Sequence, residues 1–215
     1  MKKRWSFLMA SLFFIQPLSV GAAEVAAIPD RHISLYADEQ GGRYQNFELH
    51  IGNRTMAFPE WSSTNSASAK TKMHLLDLDH DGMEEIVVLL PKKRDKALYL
   101  NEPKILKIHE NGASVAEEIF LNDVRTVLLQ QVKYYREGKD FHVQLKGKDV
   151  LNLKNEAQPP KLSVESFVVY EVKEDHLLAK VLLKSTKGEY LGTFQVDYQF
   201  KDTTMEPTKL SFIRH

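Results

Sequence analysis

Two short apolar runs, residues 73–76 and 86–90, close on either side of the segment D-L-D-H-D-G-M-E-E at residues 77–85. Runs of four or five apolar residues bounded by turn signals suit strands buried on both faces. The segment between them alternates acids and carries Gly82 at its bend, so it reads as a tight polar loop. A strand–acidic loop–strand unit commits this part of the chain to a sheet.

Strand signals continue on both sides. Residues 32–36 and 47–51 alternate around Gln40-Gly41-Gly42, which reads as a hairpin turn. Asn53-Arg54 turns the chain into 55–58. Residues 62–72 carry Ser, Thr, Asn and Ala without periodicity and are expected as an exposed loop. Residues 92–101 read as a charged connection and 104–109 as a strand ending at Asn111-Gly112. The best helix signal spans 119–131, capped by Asn122 or Asp123, with Val124, Val127, Leu128 and Gln131 on one face. Alternation resumes at Phe141, Val143 and Leu145, between turns at Gly138 and Gly147. Residues 155–161 contain Pro159-Pro160 and read as a linker. A three-strand meander follows over 167–172, 176–183 and 190–200, then a final strand at 210–213. The expected fold class is all-β, with antiparallel sheets in a partial propeller-like arrangement or an open sandwich and at most one or two short helices. Residues 24–154 would form a β domain holding the acidic loop and 155–215 a C-terminal meander, as one domain or two.

Lys2, Lys3 and Arg4 precede a mostly apolar stretch ending at Gly21-Ala22-Ala23. That is the layout of an export signal over residues 1–23. The stretch is interrupted and falls short of the roughly 20 apolar residues of a membrane span. Removing 23 of 215 residues leaves 192, with 26 basic against 29 acidic residues and a net charge of −3. Such a chain, without a basic run, gives no reason to expect nucleic acid, and no later run reaches spanning length. With no cysteine, disulfides, thiol catalysis and thiolate metal sites are ruled out. The expected location is outside the cell or at the cell wall.

The acidic loop is the one constellation with a specific chemical reading. Asp77, Asp79 and Asp81 stand at positions 1, 3 and 5, where alternate side chains turn to a common centre. Gly82 permits the sharp bend. Met83 at position 7 would offer its backbone carbonyl, and Glu85 at position 9 would close the cage directly or through water. An all-oxygen donor set favours calcium over zinc or copper, and a dense acidic loop suits calcium better than magnesium. Position 12 is Val88, where a helix-loop-helix calcium hand needs a bidentate glutamate. A calcium sensor is therefore not expected.

The pattern resembles the strand-loop-strand calcium loop D-x-D-x-D-G-x-x-[DE]-[IL]-x-V of the FG-GAP and VCBS families, found in the propeller blades of integrin α chains. The resemblance implies side-chain ligands at Asp77, Asp79, Asp81 and Glu85, which stands where most members have Asp, and a carbonyl ligand at Met83. The segments L-L-D-L-D-H-D-G-M-E-E-I-V-V-L-L and F-V-V-Y-E-V-K-E-D-H-L-L-A-K-V also resemble a group of secreted VCBS-like proteins of Gram-positive spore formers. One loop copy in 192 residues cannot make a closed seven-bladed ring, since a blade takes roughly 40 to 60 residues.

Elsewhere, no two of the eight histidines share H-x-x-x-H spacing, and no nucleophile elbow, phosphate loop or dinucleotide fingerprint appears. The aromatic residues from Phe167 to Phe200 follow the alternation of ordinary strand packing. The expected function is a secreted, non-enzymatic β protein with one structural calcium loop. It would bind another exported protein or a cell-wall polysaccharide. The alternative is an exported hydrolase with dispersed catalytic residues.

Overall fold

The computed structural model describes residues 21–95, 98–108, 117–155, 158–162 and 168–215. The expected leader lies outside these residues but for its last three, as do His109, the Asn111-Gly112 turn and Phe167. The fold is all-β. Its strands are β1 (Ala23–Ile28), β2 (Ile33–Gln40), β3 (Arg43–Ile51), β4 (Arg54–Thr64), β5 (Lys72–Leu76), β6 (Glu85–Asp95), β7 (Leu98–Lys107) and β8 (Glu117–Leu121). One helix, α1 (Val124–Gln131), follows. Then come β9 (Val132–Glu137), β10 (Asp140–Leu145), β11 (Lys148–Leu153), β12 (Lys161–Leu162), β13 (Val168–Lys173), β14 (His176–Lys184), β15 (Tyr190–Lys201) and β16 (Thr204–Arg214). No described helix is long and apolar enough to cross a membrane.

Strands β1 to β4 form one antiparallel meander, and β9 to β11 another. The remaining nine strands share a sheet in the order β12-β14-β15-β16-β8-β7-β6-β5, with β13 also on β14. All pairings are antiparallel except β8 with β16, where Phe120 faces Thr204 and Leu121 faces Met205. Strands from before and after Asn155 therefore share this sheet. Glycines with positive φ sit at the hairpin turns where they are expected, as at Gly41 and Gly42 between Gln40 and Arg43.

Strand β6 explains its own sequence. Ile86 to Leu90 are all buried, because the strand lies between two cores. Val87 and Leu89 enter one with Ile105, Val127, Leu128, Val181 and Phe194. Ile86, Val88 and Leu90 enter the other with Leu35, Phe47, Leu49 and Trp61 of the β1–β4 sheet. Each such side chain contributes about 1.5–3 kcal/mol on burial, and an alternating strand here would leave one core unfilled. Its neighbour β5 is different. Met73, His74 and Leu75 are only half-buried, because β5 is the last strand of its sheet.

Three further expectations need correction. Residues 62–72 are not one exposed loop: residues up to Thr64 belong to β4, Ser63 and Thr71 are buried, and Lys72 opens β5. Residues 92–101 do not form a connection: β6 and β7 stay paired as far as Asp95 and Leu98. A register shift between Pro91 and Lys93 accommodates the proline, which cannot donate to the ladder. Of the charges that suggested a loop, Lys92 belongs to a series of ion pairs along the sheet. In it Lys92 pairs with Glu102 at 2.6 Å, Glu102 with Lys104 at 3.2 Å and Lys104 with Glu118 at 2.9 Å. The helix is also shorter than 119–131. Residues up to Leu121 are held in β8, and Asp123 caps α1 by accepting from the Arg125 N–H at 2.9 Å.

Candidate metal centre

The acidic loop closes the β5–β6 hairpin beyond the Leu76–Glu85 pair. Inside it, carboxylates replace the missing ladder bonds. The Asp77 Oδ2 accepts from the Gly82 N–H at 3.1 Å, drawing position 6 back over position 1. The Asp79 Oδ1 accepts from the Asp81 N–H at 3.2 Å and the Asp81 Oδ1 from the Met83 N–H at 2.9 Å. These are successive side-chain-to-backbone turns, the habit of aspartate in loops. The loop reverses through two left-handed residues, His80 at φ 59° and Gly82 at φ 87°. His80 is exposed and stays out of the cluster.

Asp77, Asp79 and Glu85 bring carboxylate oxygens within 4.8 Å of one another. Glu85 is fully buried, and its Oε2 accepts from the Leu78 N–H at 2.8 Å. Its other oxygen, Oε1, is buried without a hydrogen bond, and so is the Asp77 Oδ1. Two buried carboxylate oxygens of one cluster thus lack a donor. Such atoms carry a desolvation cost that a cation relieves. The donor set is all oxygen, from side chains 3.6-period packing could not bring together but a tight loop can, and it fits a hard divalent ion.

Asp81 does not join that group. Its Oδ2 pairs at 2.6 Å with the Nζ of Lys107 on β7, which also contacts the Asp79 Oδ2 and lies 3.9 Å from the Glu85 Oε1. Met83 takes part through its backbone N–H, bound to Asp81. Burial pushes the Glu85 carboxyl above its ordinary value; the Leu78 N–H opposes the shift and the Asp79 charge adds to it. Asp81 is held low by its hydrogen bonds to Lys107 and to the Met83 N–H. Lys107 is held high by Asp79 and Asp81.

The chain matches no family model, no curated protein and no solved structure. Its sites are therefore read from their own geometry.

Sequence reasoning missed Lys107. The residue stands outside the loop motif, and only the β6–β7 register, with Ile86 opposite Leu106, brings it alongside Glu85. The signal available was a lysine closing an otherwise apolar strand end. It also missed a second polar cluster on β9–β11. There Asp149 accepts from Tyr135 Oη at 2.8 Å and Gln144 Nε2 at 2.8 Å, and lies 2.9 Å from His142 Nδ1. The Tyr135 and His142 rings stack 4.6 Å apart. The other His142 nitrogen faces Glu137 at 3.6 Å. These residues meet through strand register, which spacing along the chain does not display.

Proposed function

We propose that the protein is an exported, non-enzymatic β module with one structural calcium ion held by Asp77, Asp79 and Glu85, with Asp81, which must turn from Lys107, and the Met83 carbonyl completing the cage. The observation that carries this reading is the pair of buried oxygens, Asp77 Oδ1 and Glu85 Oε1, that have no donor within an all-carboxylate cluster. The resemblance of the loop to FG-GAP and VCBS calcium loops supports it, and the leader-like N-terminus supports export. The ion would pin the β5–β6 turn against the double-sided strand behind it. The module would act by binding, outside the cell or at the cell wall, with another exported protein or a wall polysaccharide as partner.

The hydrolase alternative draws on His142 and Asp149, a histidine oriented by a carboxylate. Its free nitrogen faces Glu137 rather than a hydroxyl nucleophile, so the pair lacks the arrangement nucleophilic catalysis requires.

Thermal melting tests the calcium reading. Extracellular calcium modules bind at about 10⁻⁴ to 10⁻³ M. At about 10 mM calcium the linkage relation then gives roughly 1.4–2.7 kcal/mol, an upward shift of about 5 °C for a chain of this size. Asp79→Ala should melt alike with calcium and with chelator. Equal melting of the wild type in both would sink the reading.

A further inference from the structure

Lys107 is not an ordinary surface lysine. Its side chain is only 18% exposed. On β7 it alternates with Ile105, a member of the core behind the loop, and its ammonium lies 6.0 Å from the centre of the Phe200 ring. From there Nζ reaches three of the loop's carboxylates, those of Asp79, Asp81 and Glu85. A calcium ion binds oxygens at about 2.3–2.6 Å. An ion seated among Asp77, Asp79 and Glu85, whose oxygens lie within 4.8 Å of one another, would stand a few ångströms from that ammonium. Like charges at that separation repel strongly in a partly desolvated site. The two cations also draw on the same carboxylates, Asp79 and Asp81.

We infer that Lys107 is a tethered competitor for the calcium seat: ion and ammonium exclude each other, and Lys107 sets the calcium concentration at which the loop fills. The inference rests on the calcium reading above. The exchange has a direction. One ammonium contacts Asp79 and Asp81 and reaches Glu85 only at 3.9 Å, leaving Asp77 Oδ1 and Glu85 Oε1 without a hydrogen bond. A divalent ion supplies twice the charge and contacts both oxygens. The flexible four-carbon stem lets the displaced ammonium swing to solvent without moving β7.

The test is a calcium titration of the purified protein against a competing chelator, for wild type, Lys107→Met and Lys107→Gln, with melting in chelator and in saturating calcium. Both variants are expected to bind calcium about tenfold or more tightly, the factor expected from removing one charge-assisted hydrogen bond that the ion must otherwise displace. Both should melt below wild type in chelator and level with it in saturating calcium. A wild type that stays shut while the variants bind also supports the competition. Folded variants that bind calcium no more tightly than wild type overturn it and leave the calcium site standing. Variants that stay unfolded even in saturating calcium overturn it too, because the loaded protein should not need this lysine. If neither wild type nor variants bind calcium, the calcium reading falls and the competition falls with it.

Discussion

Lys104 and Lys107 stand three residues apart on β7 and face opposite sides of the sheet, each among carboxylates. Lys104 lies 5.8 Å from the Trp61 ring, on the side of the β1–β4 core, in a series of two lysines and two glutamates. Lys107 lies on the other side, among the described residues the one lysine set against Asp79, Asp81 and Glu85. The titration of the glutamates shows the contrast. Burial would raise Glu102, but Lys92 and Lys104 more than reverse this and hold it below its ordinary value. Burial raises Glu85 too, and there the single lysine does not reverse it. Acid clusters on a protein surface are common. The one that points to a ligand is the one whose charge the protein leaves uncompensated and whose oxygens it leaves without donors.

The largest effect separating the two clusters should be the calcium increment itself. Lys104→Met should gain the same several degrees in calcium as the wild type, while Asp77→Ala gains none. If both lose the increment, the two clusters form one unit and the contrast fails. Next in size is the cost of Lys104→Met, about 1–2 kcal/mol for breaking a half-buried series. Urea midpoints should record this loss equally in calcium and in chelator. A loss confined to chelator would assign Lys104 to the ion site.

The smallest effects concern pH. Glu102, with its lowered folded-state value, stabilises the fold above the ordinary glutamate range near 4.3, and that contribution drains away as pH falls through the lowered value. Glu85, with its raised value, is a burden on the calcium-free fold at neutral pH, and protonation lifts it. In chelator at pH 7, Glu102→Gln should therefore be less stable than wild type and Glu85→Gln more stable. The Glu85→Gln difference should shrink as pH falls through the raised value, above about 4.3, and the Glu102→Gln difference only below about 4.3. Urea midpoints across that range check this, and shifts of the same sign would refute the opposition.

What the sequence made legible follows from locality. The run at 86–90 was readable because a strand covered on both faces has no polar side to show. The glycine turns were readable because glycine takes up left-handed backbone without steric cost whatever surrounds it. The convergence of Asp77, Asp79 and Glu85 was readable because a nine-residue motif carries its own geometry; the turn of Asp81 toward Lys107 was not. The β6–β7 extension was not, because Lys92 meets Glu102 and Lys104 meets Glu118 only across strands, and along the chain they look like a solvated stretch. Ile119 to Leu121 suggested the start of a helix, but β7 claims Ile119 and β16, which lies far downstream, claims Phe120 and Leu121 for a sheet. Lys107 was invisible for the same reason: its partners are set by register.

That reliance on β16 has a kinetic side. Strands β5, β6 and β7 pair with their neighbours in the chain, so the acidic loop can assemble early, from local contacts. Strand β8 has β7 on one side and must wait for the last strand of the chain on the other. Contacts between distant segments are slow to form, and until they do the edges of β8 and β15 lie open to other chains. A ribosome that stopped, or a protease that cut, just before Thr204 would leave a protein with its acidic turn built and its main sheet unclosed, prone to aggregate.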